Sequence, residues 1–462
     1  MKHIIGRKKD VRELLQKNGN VQLQKTLGAS DLVLLGVGAI VGTGIFILPG
    51  TVAATHSGPA IIFSFIIAAI VCALAGMCYS EFSSSVPVTG SAYTYGYIVF
   101  GEGIAWLVAW ALVLEYGLAA ASVATGWSSY LSAFLKGFDI VIPKAISGPF
   151  NPAEGTYLNV PAIAIILAIG FLLTRGVRES ARLNRIMVFI KVGVILLFIG
   201  VGMFYVKPVH WQPFMPFGIQ GVMSGAALVF FAYLGFDAVS SAAEEVRNPQ
   251  RDLPIGIIGS LLLCTLLYVT VSLVLTGMIP YTELNVSDPV SFAMQLIHHD
   301  WVAGIISLGA VFGMMTVILV MVYGGTRLLY ALGRDGLLPK VMCELNAKYK
   351  TPVKNTWIFT ALIAFCAGIV PLSKLAELVN MGTLLAFTIV SIGVIFLRRD
   401  KRIPSGGFKV PFFPVLPLCS FLLCLFLITQ LSLHTWIACG IWFIIGLFVY
   451  VAYGKNHSLM NK

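Results

Sequence analysis

Long apolar runs, each bounded by polar or charged residues, recur from residue 32 to residue 453. Runs such as 61–75 and 186–206 do not alternate polar with apolar positions. A barrel strand in a membrane alternates. An unbroken apolar run of about 20 residues spans a bilayer as a helix. In lipid the backbone must satisfy its own hydrogen bonds, which also selects helices. This criterion predicts about twelve spans, near 32–55, 60–82, 103–134, 160–174, 186–206, 221–244, 254–279, 301–331, 355–371, 375–397, 411–431 and 435–453. The third is over-long, which predicts a tilt.

Two spans break the pattern. The first contains Gly36, Gly38, Gly42 and Gly44 within nine residues, and the sixth runs Phe230 to Asp237 through Gly235. Glycine costs about 1 kcal/mol against alanine inside a helix. Gly38-x-x-x-Gly42 also fits close helix packing, so packing and a break both stand as readings. Placement favours the break. Spans one and six open two successive sets of five, and five is odd, so the sets are inverted. Interrupted helices at matching positions of inverted halves point to a transporter site. The chain then divides into a tail (1–31), a first set (32–206), an inverted second set (220–397), two further helices (411–453) and a short tail (454–462).

A broken helix exposes N–H groups on one half and C=O groups on the other. The N–H end suits a carboxylate, and freed carbonyls suit an ammonium group. Gly42, Thr43 and Gly44 are candidates for the first role. Carbonyls of Ile40, Phe231, Ala232 and Leu234 are candidates for the second. An amino-acid backbone carries both charges, as do other zwitterions. On this reading Gly42 and Gly44 keep the site open, and Gly44→Val loses binding while the protein stays folded.

Composition strengthens the membrane assignment. Hydrophobic residues make up 58% and charged residues 11%, with a mean hydropathy of +0.89; a soluble domain carries about 25% charged residues. The net charge of +11 raises nucleic-acid binding as a question. Its placement answers it. With the N-terminus inside, 26 Lys and Arg fall on one side, four on the other, and Lys191 within a span. Such asymmetry is the positive-inside rule. It predicts a multi-pass plasma-membrane protein with both ends cytoplasmic and no nucleic-acid partner. The eight cysteines show no metal-like spacing and read as apolar packing. The first 30 residues lack the apolar stretch of a signal peptide.

Charges inside spans are costly and usually functional. Glu115 lies roughly 17 Å along the third span at the helical rise, near the bilayer middle. Lys191 lies about 9 Å past Arg185, where it could either snorkel or work. A desolvated lysine gives up its proton more readily, which makes Lys191 a candidate proton carrier. Asp237 fits a cap on the second half of the broken sixth helix better than a substrate ligand. Glu244, Glu245, Arg247 and Arg251 read as an ion-pair cluster. Glu81 and Arg327 end their spans and read as interfacial.

Gly42-Thr-Gly-Ile-Phe46 resembles the first-helix motif of the amino acid–polyamine–organocation superfamily. Residues 87–95, 244–254 and 327–339 are similar to its loops after the second, sixth and eighth helices. Gly407-Phe-Lys-Val-Pro411 with Pro414 and Pro417 resembles the cationic amino acid transporter branch. The resemblance implies an all-α fold of five plus five inverted helices with broken helices one and six, plus two more. It implies a transporter and no enzyme, with the proton as coupling ion and no other cofactor or metal. The substrate carboxylate would meet Gly42, Thr43 and Gly44. Phe231 would close over the substrate as a gate. Lys191 stands where sodium-coupled relatives hold a cation. Glu115, Ala119 and Met321 would border the side-chain pocket. Met321 is bulky there and favours small neutral substrates such as alanine, while the branch name and Glu115 suggest cationic ones. Expected partners are an L-amino acid, protons and membrane lipids, with sterol a candidate and an accessory subunit left open. Exchange of two amino acids rivals symport.

Other classes fit worse. The glycine run lacks the preceding strand of a dinucleotide loop. An intramembrane aspartyl protease would need a second aspartate within the spans. A channel would show repeated filter residues from an oligomer.

Overall fold

The computed structural model describes residues 7, 27–86, 91–176, 181–349, 351–400 and 407–459. Among these no strand forms, and helices follow one another throughout. They are α1 (Ala29–Ile40), α2 (Thr43–Phe46), α3 (Leu48–Val52), α4 (Ile61–Ser85), α5 (Ser91–Val99), α6 (Glu102–Lys136), α7 (Val160–Thr174), α8 (Ala181–Gly202) and α9 (Gly218–Val229). Then come α10 (Asp237–Ser241), α11 (Pro249–Met278), α12 (Pro289–Leu296), α13 (Asp300–Arg334), α14 (Val353–Ile369), α15 (Leu372–Leu397), α16 (Val415–Thr429) and α17 (Leu433–Val449). Among the described residues, eight helical stretches are long and apolar enough to cross a membrane; α1, α7, α14 and α16 are shorter apolar helices. The protein is an all-α, multi-pass membrane protein.

Its outer surface shows which solvent it meets. Leu262 and Leu266 on α11 are about two-thirds exposed, and so are Ile444 and Phe448 on α17. Each pair is four residues apart, so it forms a stripe on one helix face. Water penalises such stripes, and lipid does not. Inside, α6 and α13, each 35 residues long, run against one another, and α15 packs on α6. At 1.5 Å per residue these helices are longer than a bilayer core of about 30 Å. α11 packs against α1 and α4. Local signals set several ends: Asn159 caps α7 by accepting from Ala162 N at 3.2 Å, and proline opens α11 and α12.

Both ends of the described chain meet at one face. Buried Glu102 donates its backbone N–H to Arg7 O at 3.0 Å, and its carboxylate accepts from Ser458 Oγ at 2.6 Å. On the same face, Leu27 N donates to Glu245 O at 3.1 Å and Arg247 N to Leu27 O at 3.0 Å. This backbone pairing occupies the segment expected to form an ion-pair cluster; the Glu244 side chain lies outside the described set. Asp31 and Arg185 form an ion pair at 2.6 Å.

Glu81, near the end of its span as expected, is buried against protein rather than exposed. It is 2% exposed and receives two bonds from Arg398, at 2.6 and 2.8 Å. Val410 N adds a third at 2.7 Å, and Phe408 N donates to Ser84 Oγ at 2.9 Å. The 407–411 motif thus clamps the end of α15 to the end of α4. Of the motif expected at 87–95, residues 87–90 lie outside the described residues, as do most of the N-terminal tail and 401–406.

Candidate functional site

Both expected interruptions form. α1 ends at Ile40, Val41 is extended, and Gly42 caps α2. α9 gives way to a tight turn over Phe230–Tyr233, then Leu234 is extended, and α10 starts at Asp237. Gly235 sits at φ +110°, a conformation that glycine adopts at little cost. A Cβ there would lie 2.9 Å from the Ala39 backbone, and a Cβ on Gly44 would lie 2.5 Å from Ala232 Cα. Ala39 meets Gly235 while Gly44 meets Ala232, so the two broken segments cross antiparallel. Gly38 packs closely against Asn184. The Gly38–Gly42 pair therefore serves packing at one end and a break at the other.

A small cavity lies at this crossing. Gly42, Thr43 and Gly44 line one wall, with Ala39 and Ile40 beside them. Phe231 and Leu234 come from the second break, Ala119 and Val123 from α6, and Val317 and Met321 from α13. Thr43 and Gly44 open α2, so their N–H groups have no partner within the helix. Thr43 Oγ1 is buried without a hydrogen-bond partner. Gly126 on α6 gives the Thr43 side chain its room.

Four carbonyls were expected to face an amine, and the structure redistributes them. Ala232 is not in the cavity wall. Close packing on Gly44 turns it away, and its carbonyl accepts from Tyr268 Oη at 2.7 Å. Ile40 O lies 3.2 Å from the same hydroxyl. Phe231 O accepts from Leu234 N at 3.2 Å. Tyr268, on α11, joins the two breaks through its hydroxyl, a link that the sequence reading missed. The available signal was a tyrosine amid an apolar span, since a buried hydroxyl needs a partner.

Glu115 is also displaced. It is 2% exposed but lies outside the cavity wall, one helical turn from Ala119. Asp237 acts on it electrostatically. Asp237 is the first residue of α10; its carboxylate meets backbone N–H groups of Asp237 and Ala238, as a helix-start group does, and accepts from Tyr116 Oη at 3.2 Å.

Lys191 does not snorkel. It is fully buried, and its ammonium donates to Gly38 O at 2.8 Å. That carbonyl is free because the helix breaks three residues later. A Cβ on Gly313 of α13 would lie 2.9 Å from Lys191 Cγ, so this glycine makes room for the lysine stem. A charged donor makes this the strong kind of hydrogen bond. It ties the first half of the broken helix to α8.

The comparisons with known proteins agree with this geometry. Residues 27–435 match the family model described as amino acid permease. A methylthioribose transporter of Bacillus subtilis (strain 168) is 52% identical over 456 residues, covering 99% of each chain. A branched-chain amino acid permease, BcaP, of the same organism is 50% identical over 466 residues, covering 100% of each. A vacuolar cationic amino acid transporter 4 of Arabidopsis thaliana is 33% identical over 583 residues, covering 100% of this chain and 97% of its own. The crossed broken helices, the cavity between them and these matches together make this chain a member of the amino acid permease family of the amino acid–polyamine–organocation superfamily.

Proposed function

We propose that the protein takes up L-amino acids by proton-coupled symport, alternating access to the cavity between its broken helices. The observation that carries this reading is Lys191. An ammonium buried at the break and bonded to Gly38 O can hold α1 only as firmly as its charge allows. Losing the proton weakens that bond and frees the first half of the broken helix to move. The substrate carboxylate meets the N–H groups of Thr43 and Gly44, and Phe231 closes over it. Met321, 4% exposed, bounds the pocket from α13 and favours small neutral side chains such as alanine. The face carrying both chain ends is cytoplasmic by the positive-inside rule, in the plasma membrane.

The relatives' names cover a branched-chain amino acid, cationic amino acids and a sugar thioether. The cavity favours neutral amino acids: its wall contains no charged residue. Competition decides between them. Uptake of labelled alanine into proteoliposomes is challenged with excess leucine, arginine or methylthioribose. Inhibition by leucine and not by methylthioribose is expected. Methylthioribose uptake with no alanine uptake would overturn the reading.

A further inference from the structure

Each broken helix leaves carbonyls at the end of its first half without helical partners. In the first repeat Lys191, on α8, donates to Gly38 O at 2.8 Å. In the second repeat the Asn380 side-chain amide, on α15, donates to Ala227 O at 2.7 Å and Leu228 O at 3.2 Å. α1 and α9 open their sets of five, and α8 and α15 close them. The Lys191–Gly38 and Asn380–Ala227 bonds span the same number of residues, 153. One shift along the chain therefore carries donor onto donor and acceptor onto acceptor. Asn380 is fully buried, and its own Oδ1 has no partner. The amide is kept for its N–H groups even though its acceptor goes unsatisfied.

We propose that Asn380 is a positioning residue for transport: its amide fixes the end of α9 and so sets the Phe231 turn that follows. An ammonium changes charge with its proton; an amide does not. The half of the site held by Lys191 answers to protons, and the half held by Asn380 stays put. That contrast rests on the proton-coupling reading, whereas the positioning role rests on the bonds alone. Titratable groups nearby are Glu377 and Lys374 on the same helix, His56, on which Glu377 acts, and Glu115, which faces Thr383. All are retained in the variants below, so comparison with wild type at each pH cancels them.

Asn380→Asp and Asn380→Leu test the idea, with hydrogen exchange of residues 230–234 as a readout that needs no substrate. Labelled-alanine binding is measured in parallel. An aspartic acid has the shape of asparagine and donates one hydrogen bond only while protonated. Position 380 is fully buried, and burial raises a carboxyl's pKa, so at about pH 5 Asn380→Asp should be protonated and stay near wild type; ionised at about pH 8, it should exchange about tenfold faster and bind about tenfold more weakly. Returning to low pH should reverse both. Asn380→Leu should show the loss at either pH. If Asn380→Leu does not fold, the reversible change in Asn380→Asp alone supports the proposal. Exchange in Asn380→Asp that follows wild type at both pH values, or a loss that low pH does not reverse, overturns it. Failure of wild type to bind alanine would sink the functional reading and leave the exchange result standing.

Discussion

Gly42 and Gly44 are two residues apart, yet alanine should act differently at each. A Cβ on Gly44 would lie 2.5 Å from Ala232 Cα and 2.6 Å from its Cβ. Carbon atoms rest at about 3.5–4.0 Å, so the broken segments must separate by roughly 1 Å. Overpacking of that kind costs ~1–3 kcal/mol. A Cβ on Gly42 first meets Val317 Cγ2 at 3.5 Å, an ordinary contact on the cavity wall. Gly42→Ala should therefore fold normally and place a methyl where a carboxylate would approach. Losing about 1.4 kcal/mol there weakens binding about tenfold. The assay is thermal unfolding and labelled-alanine binding on the same detergent-purified samples. We expect Gly42→Ala to keep its Tm and lose affinity, and Gly44→Ala to lose several degrees of Tm. The geometry rules out the simpler expectation that a side chain at Gly44 harms binding alone. The reverse split, or equal effects at both positions, would refute the argument.

Three further predictions follow from single contacts. Met321→Ser should enlarge the pocket and let amino acids bulkier than leucine, such as phenylalanine, compete for alanine uptake; an unchanged competition profile would remove Met321 as a limit. Asp288, in the loop before α12, has its carboxyl pushed up to about 6, chiefly by burial. The folded form then binds the proton more tightly than the unfolded chain. Stability from this group is full below the ordinary value of 3.8 and is lost as pH rises through about 6. Asp288→Asn should gain ~1–2 kcal/mol at neutral pH, read as a raised Tm that no longer falls between pH values on either side of that titration. Glu81→Gln should cost ~2 kcal/mol, because it strips Arg398 of a buried partner while Arg398 keeps some solvent; an unchanged Tm would show the clamp to be dispensable.

The spans were legible because lipid dictates them: a helix is the only local solution, and its length follows from bilayer thickness. The breaks were legible because glycines cluster around Gly42 and a single Gly235 interrupts the sixth span. The partners were not. Lys191 could snorkel or work on depth alone, and only the position of Gly38 O decides it. Ala232 lies in the break, yet its contact with Gly44 points its carbonyl at Tyr268. Glu81 pairs with Arg398 more than 300 residues away, a distance that no periodicity encodes. Asn380 sits in an apolar run whose pattern does not say which face meets α9.

The central claim is that a proton on Lys191 drives uptake, and one measurement tests it directly. Proteoliposomes carrying wild type or Lys191→Ala receive labelled alanine with and without an inward proton gradient. The account predicts accumulation above equilibrium by wild type under the gradient, and none by the variant. Uptake that ignores the gradient but requires amino acid preloaded inside would contradict it; the protein would then be an exchanger, and Lys191 a structural tie to the broken helix.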